Sequence, residues 1–291
     1  MSAPLFSVVV PSLNSPVVHK TIEALEHQNL DRRRFEVIVV GLDQLGLLRS
    51  GESVRFVDVG RPLSPAANRN RGIAEARGDI VVFTDADCIP AGDWLAVLEA
   101  CFRDPQVTVV GGGVVFETDN YWTLSDNLSA FHDYLASLPP GERRLLVSLN
   151  LAVRRQLLLD VNGFDERYPY PAGEDSDLSI RLRRLGHRLR FEPRALVKHM
   201  PLRHSLTDLL RHGYYQGKYS VKIDPRHADT EGLPRLFRTR WGVIVGAPFL
   251  AAGVVARMLI SDPGVWRFWY TMPAIYLAKL AWCVGASRYP G

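Results

Sequence analysis

The chain of 291 residues is 47% hydrophobic and 23% charged, an ordinary balance for a globular protein, with material for one large α/β domain or two smaller ones. Its net charge of +4 is uneven: Arg181 to Arg240 holds fifteen Lys/Arg against five Asp/Glu, which leaves −6 elsewhere and turns the rear half toward something anionic. Cys88, Cys101 and Cys283 make neither a disulfide framework nor a zinc pattern, and no zinc finger, basic zipper or aromatic RNA-binding strand is present, so a nucleic-acid partner is not expected. A reducing compartment is expected, and the start carries no basic and apolar run of a secretory signal.

Taken in order, Phe6 to Val10 predicts a buried strand halted by Pro11, with Ser12 and Asn14 behind it. Val18, Ile22 and Leu25 have helical spacing, Phe35 to Val40 is a second buried strand, and Val54 to Val59 a weaker third. The run Pro65 to Gly72 opens a helix that ends at Gly78. Ile80 to Phe83 then predicts a strand buried on both faces, followed at once by Asp85 and Asp87. Trp94 to Phe102 reads as a helix and Val107 to Phe116 as a strand, interrupted by Gly111-Gly112-Gly113. That triplet opens no helix and marks a place where another backbone or a ligand comes close. Residues 119–147 carry little signal beyond a loop and a helix. Leu178, Leu182 and Leu185 form one stripe of a helix stopping at Gly186, and Leu189 to Phe191 and the run ending at His199 read as strand. Strands alternating with helices on short connections predict a parallel, doubly wound α/β sheet.

Three features carry chemistry. Carboxylates just beyond an apolar parallel strand sit where open α/β sheets bind ligands, and they cost energy unless a cation or hydrogen bonds satisfy them. Mg²⁺ is commonly held by one or two carboxylates plus substrate phosphates, although Asp85 and Asp87 alone read equally as a solvated turn. Glu174 and Asp175 open a helix whose amide donors and dipole favour ionised carboxylate, unless a dry pocket opposes this. An ionised carboxylate near a cleft is a candidate general base, while an N-cap is the structural alternative. His199, at a strand end, is a candidate third ligand for Mn²⁺ or an ordinary polar residue.

Together, Val8 to Asn14 (VVVPSLN), Ala67 to Gly72 (ANRNRG), Ala76 to Asp79 (ARGD), Thr84 to Asp87 (TDAD), Asn162 to Glu166 (NGFDE) and Gly173 to Leu178 (GEDSDL) resemble the inverting family 2 glycosyltransferases of the GT-A fold, in order and spacing, over roughly residues 6–200. The resemblance implies a Rossmann-like sheet flanked by helices. It implies a DxD motif at Asp85-Ala86-Asp87, with Asp87 on Mn²⁺ or Mg²⁺ and Asp85 near the donor ribose or the metal. His199 completes the metal site, Arg69 stands in the donor site with Pro11, Asn14 and Ala86, Asp175 is the base, and Glu174 sits on the acceptor. One departure concerns the nucleotide base: the second strand usually ends in an Asp-Asp-Gly-Ser-like turn, and here Val40 is followed by Gly41-Leu42-Asp43, with Asp43 as the candidate in its place.

Ser205 to Asp208 has the form of a capping box and opens a basic amphipathic helix through about Tyr219, which either packs on the domain or lies on an anionic bilayer. Trp241 to Ile260 and Phe268 to Ala286 are nearly all apolar, broken by Arg257 and Lys279. Joined by Ser261 to Arg267, they predict a helical hairpin associated with a membrane, surface-embedded or spanning, with a soluble helical subdomain or an oligomer contact as the alternative. Arg235, Arg238 and Arg240 fit a cytoplasmic start. The expected organisation is a catalytic domain over 1–203, a basic linker over 204–240 and a hydrophobic hairpin over 241–291. The expected activity is metal-dependent, inverting transfer from a UDP-, GDP- or dTDP-sugar to a hydroxyl of a lipid-linked or polysaccharide acceptor at the cytoplasmic membrane face. A sugar-nucleotide pyrophosphorylase is the alternative enzyme, but Pro11-Ser12-Leu13-Asn14 stands where its glycine-rich phosphate loop belongs. A non-catalytic sugar-nucleotide binder is opposed by the intact Asp85, Asp87 and Asp175.

Overall fold

The computed structural model describes residues 3–48, 54–261 and 263–289. They divide into two units: Met1–Val115, Pro139–Pro169 and Glu174–Met200 form the first, and Phe116–Leu138, Tyr170–Gly173 and Pro201–Gly291 the second. This division is not a simple cut along the chain, because residues 116–138 belong with the C-terminal segments.

The first unit is built on a nine-stranded sheet in the order β3 (Val54–Asp58), β2 (Phe35–Leu42), β1 (Phe6–Leu13), β4 (Ile80–Thr84), β8 (Asn150–Arg154), β6 (Val109–Val115), β9 (Leu189–His199) and β5 (Cys88–Pro90), with β7 (Gly141–Glu142) also paired to β9. Strands β3, β2, β1, β4, β6 and β9 run one way, and β8, β5 and β7 run against them. The α/β sheet is therefore mostly parallel. Phe6, Val8 to Val10, Val37 to Val40 and Ile80 to Phe83 are all nearly or wholly buried, as continuous apolar runs in a covered parallel sheet should be.

Helix α1 (Val18–Glu26) follows β1. Helix α2 (Pro65–Glu75) starts at Ser64, whose side chain accepts from the Ala67 amide, with Pro65 at a position where a missing N–H costs nothing. Gly72 lets α2 lie directly on β1, since a Cβ there would stand 2.2 Å from Val9 Cγ1. Helices α3 (Trp94–Phe102), α5 (Arg155–Asp160) and α6 (Glu174–Arg184) complete the unit. The leucine stripe of α6 is shorter than its spacing suggested: Leu178 and Leu182 are buried, but Leu185 lies past the helix end and is 61% exposed. Gly186, at φ +87°, turns the chain there.

Two of the three glycines resolve as backbone contact, while Gly111 makes room for the Leu146 side chain. A Cβ at Gly112 would meet Ala195 O at 2.2 Å, and one at Gly113 would meet Pro193 O at 2.4 Å. These two partners lie in β9, where the register with β6 jumps between Gly112 and Gly113. The two short strands expected near 189 and 199 are thus one bulged strand.

In the second unit, α4 (Tyr121–Phe131), α8 (Arg240–Ser261) and α9 (Met272–Ala286) pack through Leu124, Leu128, Met258, Ile275 and Met272, and through Val243, Ala247 and Cys283, while α7 (Leu206–Lys218) packs through Leu209 on Ala274 and Ala278 of α9. The Ser205/Asp208 capping box forms as read. The expected pair of near-spanning segments is corrected. Among the described residues one helix, α8, is long and apolar enough to cross a membrane, with mean hydropathy 2.1 and 28% of its apolar window buried. The second segment starts with a 3₁₀ stretch (Pro263–Thr271) broken at Phe268, and Pro273 in the first turn sets the start of a helix only 15 residues long. Asp262, inside the expected link, lies outside the described residues. Lys279 does not reach outward; its Nζ donates to Ser129 O at 2.7 Å, beside a cavity of about 100 Å³ that Asp126, His212 and Gln216 also line.

Candidate active site

Strand direction brings the candidate residues together. Strands β1, β2, β4 and β9 all end at the same edge of the sheet, which delivers Asn14, Asp43, Asp85 and His199 to it, while antiparallel β8 begins there at Asn150. Asn14, held at φ +53°, accepts from the Gln44 amide at 2.8 Å, and Ser15 Oγ donates to Ala86 O at 3.2 Å, so the loops after β1, β2 and β4 are tied to one another. Asp43 accepts from the Leu48 amide at 2.6 Å and shapes its own loop. Pro11 pairs in register with Val40 inside β1, two residues before that strand ends at Leu13.

Arg69 is the centre of the edge. Its guanidinium is buried and bridges Asp85 at 2.7 Å and Glu174 at 2.9 Å. The Asn162 to Glu166 turn holds it in place: Asn70 donates to Phe164 O at 2.9 Å and accepts from the Phe164 amide at 2.8 Å. The Phe164 ring meets Phe83 edge-on at 5.1 Å and lies 5.5 Å from the Arg69 guanidinium carbon. Gly163, at φ +62°, permits that turn, and a Cβ there would collide with Asn70. Neither Asn70 nor Phe164 was assigned a role from sequence, although both lie inside the quoted motifs.

Glu174, expected at the acceptor, is 2% exposed and turns to Arg69, and its Oε2 is buried with no hydrogen-bond partner among the described residues. Burial, with Asp175 beside it, pushes its carboxyl up to about 7, against the pull of Arg69. Asp175 stays partly accessible. Its Oδ1 accepts from the Ser176 amide at 2.7 Å and its Oδ2 from the Ser148 amide at 3.2 Å. The dry pocket wins over the helix dipole: burial raises the Asp175 carboxyl above its ordinary range despite Arg69 and the two amides. A carboxylate raised toward working pH is a better proton acceptor than one left near 4.

Asp87 and His199 meet at the outer end of the same edge, Oδ2 to Nε2 at 3.7 Å. Their ligand atoms and the Cys88 sulfur all lie within 4.8 Å of one another, a group that could hold a divalent ion. Asp85 is not in that group, because Arg69 occupies its Oδ1. Carboxylate and imidazole suit Mn²⁺ and related ions, so the donor set fits such a cation. Cys88 was not singled out from sequence, since only the pairing of β5 with β9 reveals that it faces His199.

The fold matches solved glycosyltransferases. The mannosyltransferase PcManGT from Pyrobaculum calidifontis in complex with GDP-Man and Mn²⁺ aligns at TM-score 0.61 and 21% identity, over 96% of this chain and 86% of that one. GalNAc-T7 with UDP, GalNAc and Mn²⁺ aligns at TM-score 0.53 and 14% identity, over 81% and 53%. These likenesses define a GT-A class of protein. The glycosyl transferase family 2 model matches residues 7–159, just over half of the chain, and the chain belongs to that family. The pre-mycofactocin glycosyltransferase of Mycobacterium tuberculosis is 36% identical over 171 residues, 57% of this chain. The chain spans only 36% of that relative's length. Glycosyltransferase AglE of Haloferax volcanii is 25% identical over 260 residues, 84% of this chain and 81% of the relative.

Proposed function

We propose that this chain is a metal-dependent, inverting glycosyltransferase that moves a sugar from a nucleotide-sugar donor to a hydroxyl of a lipid-linked or polysaccharide acceptor. The observation that carries this is one sheet edge on which Arg69 bridges Asp85 and Glu174, with Asp175 next to Glu174 and the Asp87–His199 pair at the same edge. Asp85 and Arg69 orient the donor, and Glu174 keeps Arg69 in position without touching the acceptor. Asp175, partly open and supported by two amides, takes the proton of the attacking hydroxyl, so a single in-line displacement inverts the anomeric centre. A cation held by Asp87 and His199 would supply Lewis-acid neutralisation of the departing diphosphate. Solved relatives of this fold carrying GDP-Man or UDP with Mn²⁺ support such a donor and cation, without choosing the sugar or the base.

The exposed apolar side of α8 supports association with a membrane, and Arg235, Arg238 and Arg240 around its start fit the cytoplasmic face. Trp241, Val245, Phe249 and Ile260 are between 70% and 82% exposed along it. A transfer assay over sugar nucleotides, with lipid-linked glycans as acceptors and Mn²⁺ present, tests the activity. In it Asp175→Asn should lose ~10²–10⁴-fold in kcat while donor binding by calorimetry survives. Chelation should abolish turnover and Mn²⁺ should restore it. Near-normal turnover by the variant removes Asp175 from the mechanism, and full activity in chelator removes the metal.

A further inference from the structure

We infer that Cys88 is a third protein ligand of the cation site, which makes the donor set carboxylate, thiolate and imidazole and favours Mn²⁺, Co²⁺ or Zn²⁺ over Mg²⁺. This rests on the metal reading of Asp87 and His199. Strand β5 is only three residues long and begins directly after Asp87. It pairs antiparallel with the end of β9, with Cys88 opposite His199, so the two side chains stand on one face of the sheet. Asp87, at the entrance to the strand, closes the triangle. Its Oδ1 is 4.0 Å from the Cys88 sulfur and its Oδ2 is 3.7 Å from His199 Nε2. A cation roughly 2.0–2.4 Å from each donor needs ligands about 3–4.5 Å apart; both spacings from Asp87 fall in that range, and all three donor atoms lie within 4.8 Å of one another.

The competing reading, a small apolar filler, suits Cys283 better, which packs with Val243, Ala247 and Ala286. Cys88 instead follows two carboxylates, at the edge where the other two donors converge. Cys88 and His199 are buried, while the Asp87 side chain is 27% exposed and gives the ion its way in. On binding, the S–H bond breaks, the proton leaves to solvent and a metal–sulfur bond forms, with no change of oxidation state. Mg²⁺, which demands oxygen donors, gains little from a thiolate, whereas softer ions gain much.

The test uses the metal-free full chain titrated with Co²⁺ alone and read by absorption. The expected result is a thiolate-to-cobalt charge-transfer band in the near ultraviolet, saturating at one equivalent, beside the visible ligand-field bands. Tenfold excess Mg²⁺ should leave it in place. Cys88→Ser should lose the charge-transfer band and about tenfold or more in Co²⁺ affinity, with little change for Mg²⁺. Cys101→Ser should keep the band. Ligand-field bands without charge transfer in the unsubstituted chain, or charge transfer that survives in Cys88→Ser, overturn the proposal and leave the Asp87–His199 site standing. No Co²⁺ bound at all overturns both. Should Cys88→Ser fail to fold, ¹¹³Cd resonance of the unsubstituted chain reports sulfur ligation directly, and a shift typical of oxygen and nitrogen donors alone rejects it.

Discussion

At the scale of single residues, the acidic pair Glu174–Asp175 carries the clearest pH signature. Glu174 is buried against Arg69 and its carboxyl stands at about 7, well above an exposed glutamate. A carboxyl raised on folding takes up its proton earlier in the folded state than in the unfolded one. Its ionisation is therefore a cost to folding, absent below the unfolded value near 4.5, growing as pH rises, and complete above about 7. Thermal stability should fall as pH climbs from 5 to 7. Glu174→Gln should flatten that slope in differential scanning fluorimetry. Burial raises the Asp175 carboxyl as well, so the acid limb of kcat/KM should lie above the ordinary aspartate range. An acid limb near 4 in the unsubstituted enzyme would contradict the burial argument.

At the scale of elements, the site depends on how α2 is seated. Its Ser64 cap and Pro65 fix where the helix begins, and four residues into the helix the buried Arg69 points to the sheet edge. Gly72 sets how close the helix lies to β1. Replacing it with Ala adds helix propensity of about 1 kcal/mol. It also drives a Cβ to 2.2 Å from a methyl of Val9, which is fully buried and stiff about its first torsion. Overpacking wins, so Gly72→Ala should be net destabilising by about 1–2 kcal/mol in chemical denaturation, and it should lower activity by displacing Arg69. A gain in stability would show that α2 has room to move.

At the scale of the whole molecule, the second unit exposes an unusual apolar surface. Trp241, Val245, Phe249 and Ile260 recur at helical spacing on α8, and Trp266 and Trp269 are 57% and 67% exposed just beyond it. Burying a large aromatic side chain contributes roughly 1.5–3 kcal/mol. Trp241→Glu combined with Phe249→Glu should therefore weaken binding to anionic vesicles by at least about a hundredfold in flotation assays, leaving the first unit's donor binding intact. Failure of the unsubstituted chain to float with vesicles would reject membrane association outright.

How much of this was legible in the linear chain follows from the range of each interaction. Buried parallel strands announce themselves as unbroken apolar runs, and the Ser205/Asp208 cap is local, so these needed no tertiary information. The linked motifs from Val8 to Leu178 were enough to point to the family, and Arg69, Asp85, Asp87, Asp175 and His199 were all named from them. Glu174 illustrates what escaped: its spacing shows a helix entrance, but only the folded chain brings it within 2.9 Å of Arg69, 105 residues earlier. The rise of the Asp175 carboxyl likewise depends on surrounding protein mass, which no spacing reports. Cys88 faces His199 through a register of two strands more than a hundred residues apart, and register is a property of pairing. The apolar segment after Phe268 proved short because Pro273 opens its helix, while the exposed side of α8 emerged only once its neighbours were packed. Short-range steric and hydrophobic patterning was thus written in the sequence, whereas desolvation, charge pairing and exposure arise from contacts that only the folded chain creates.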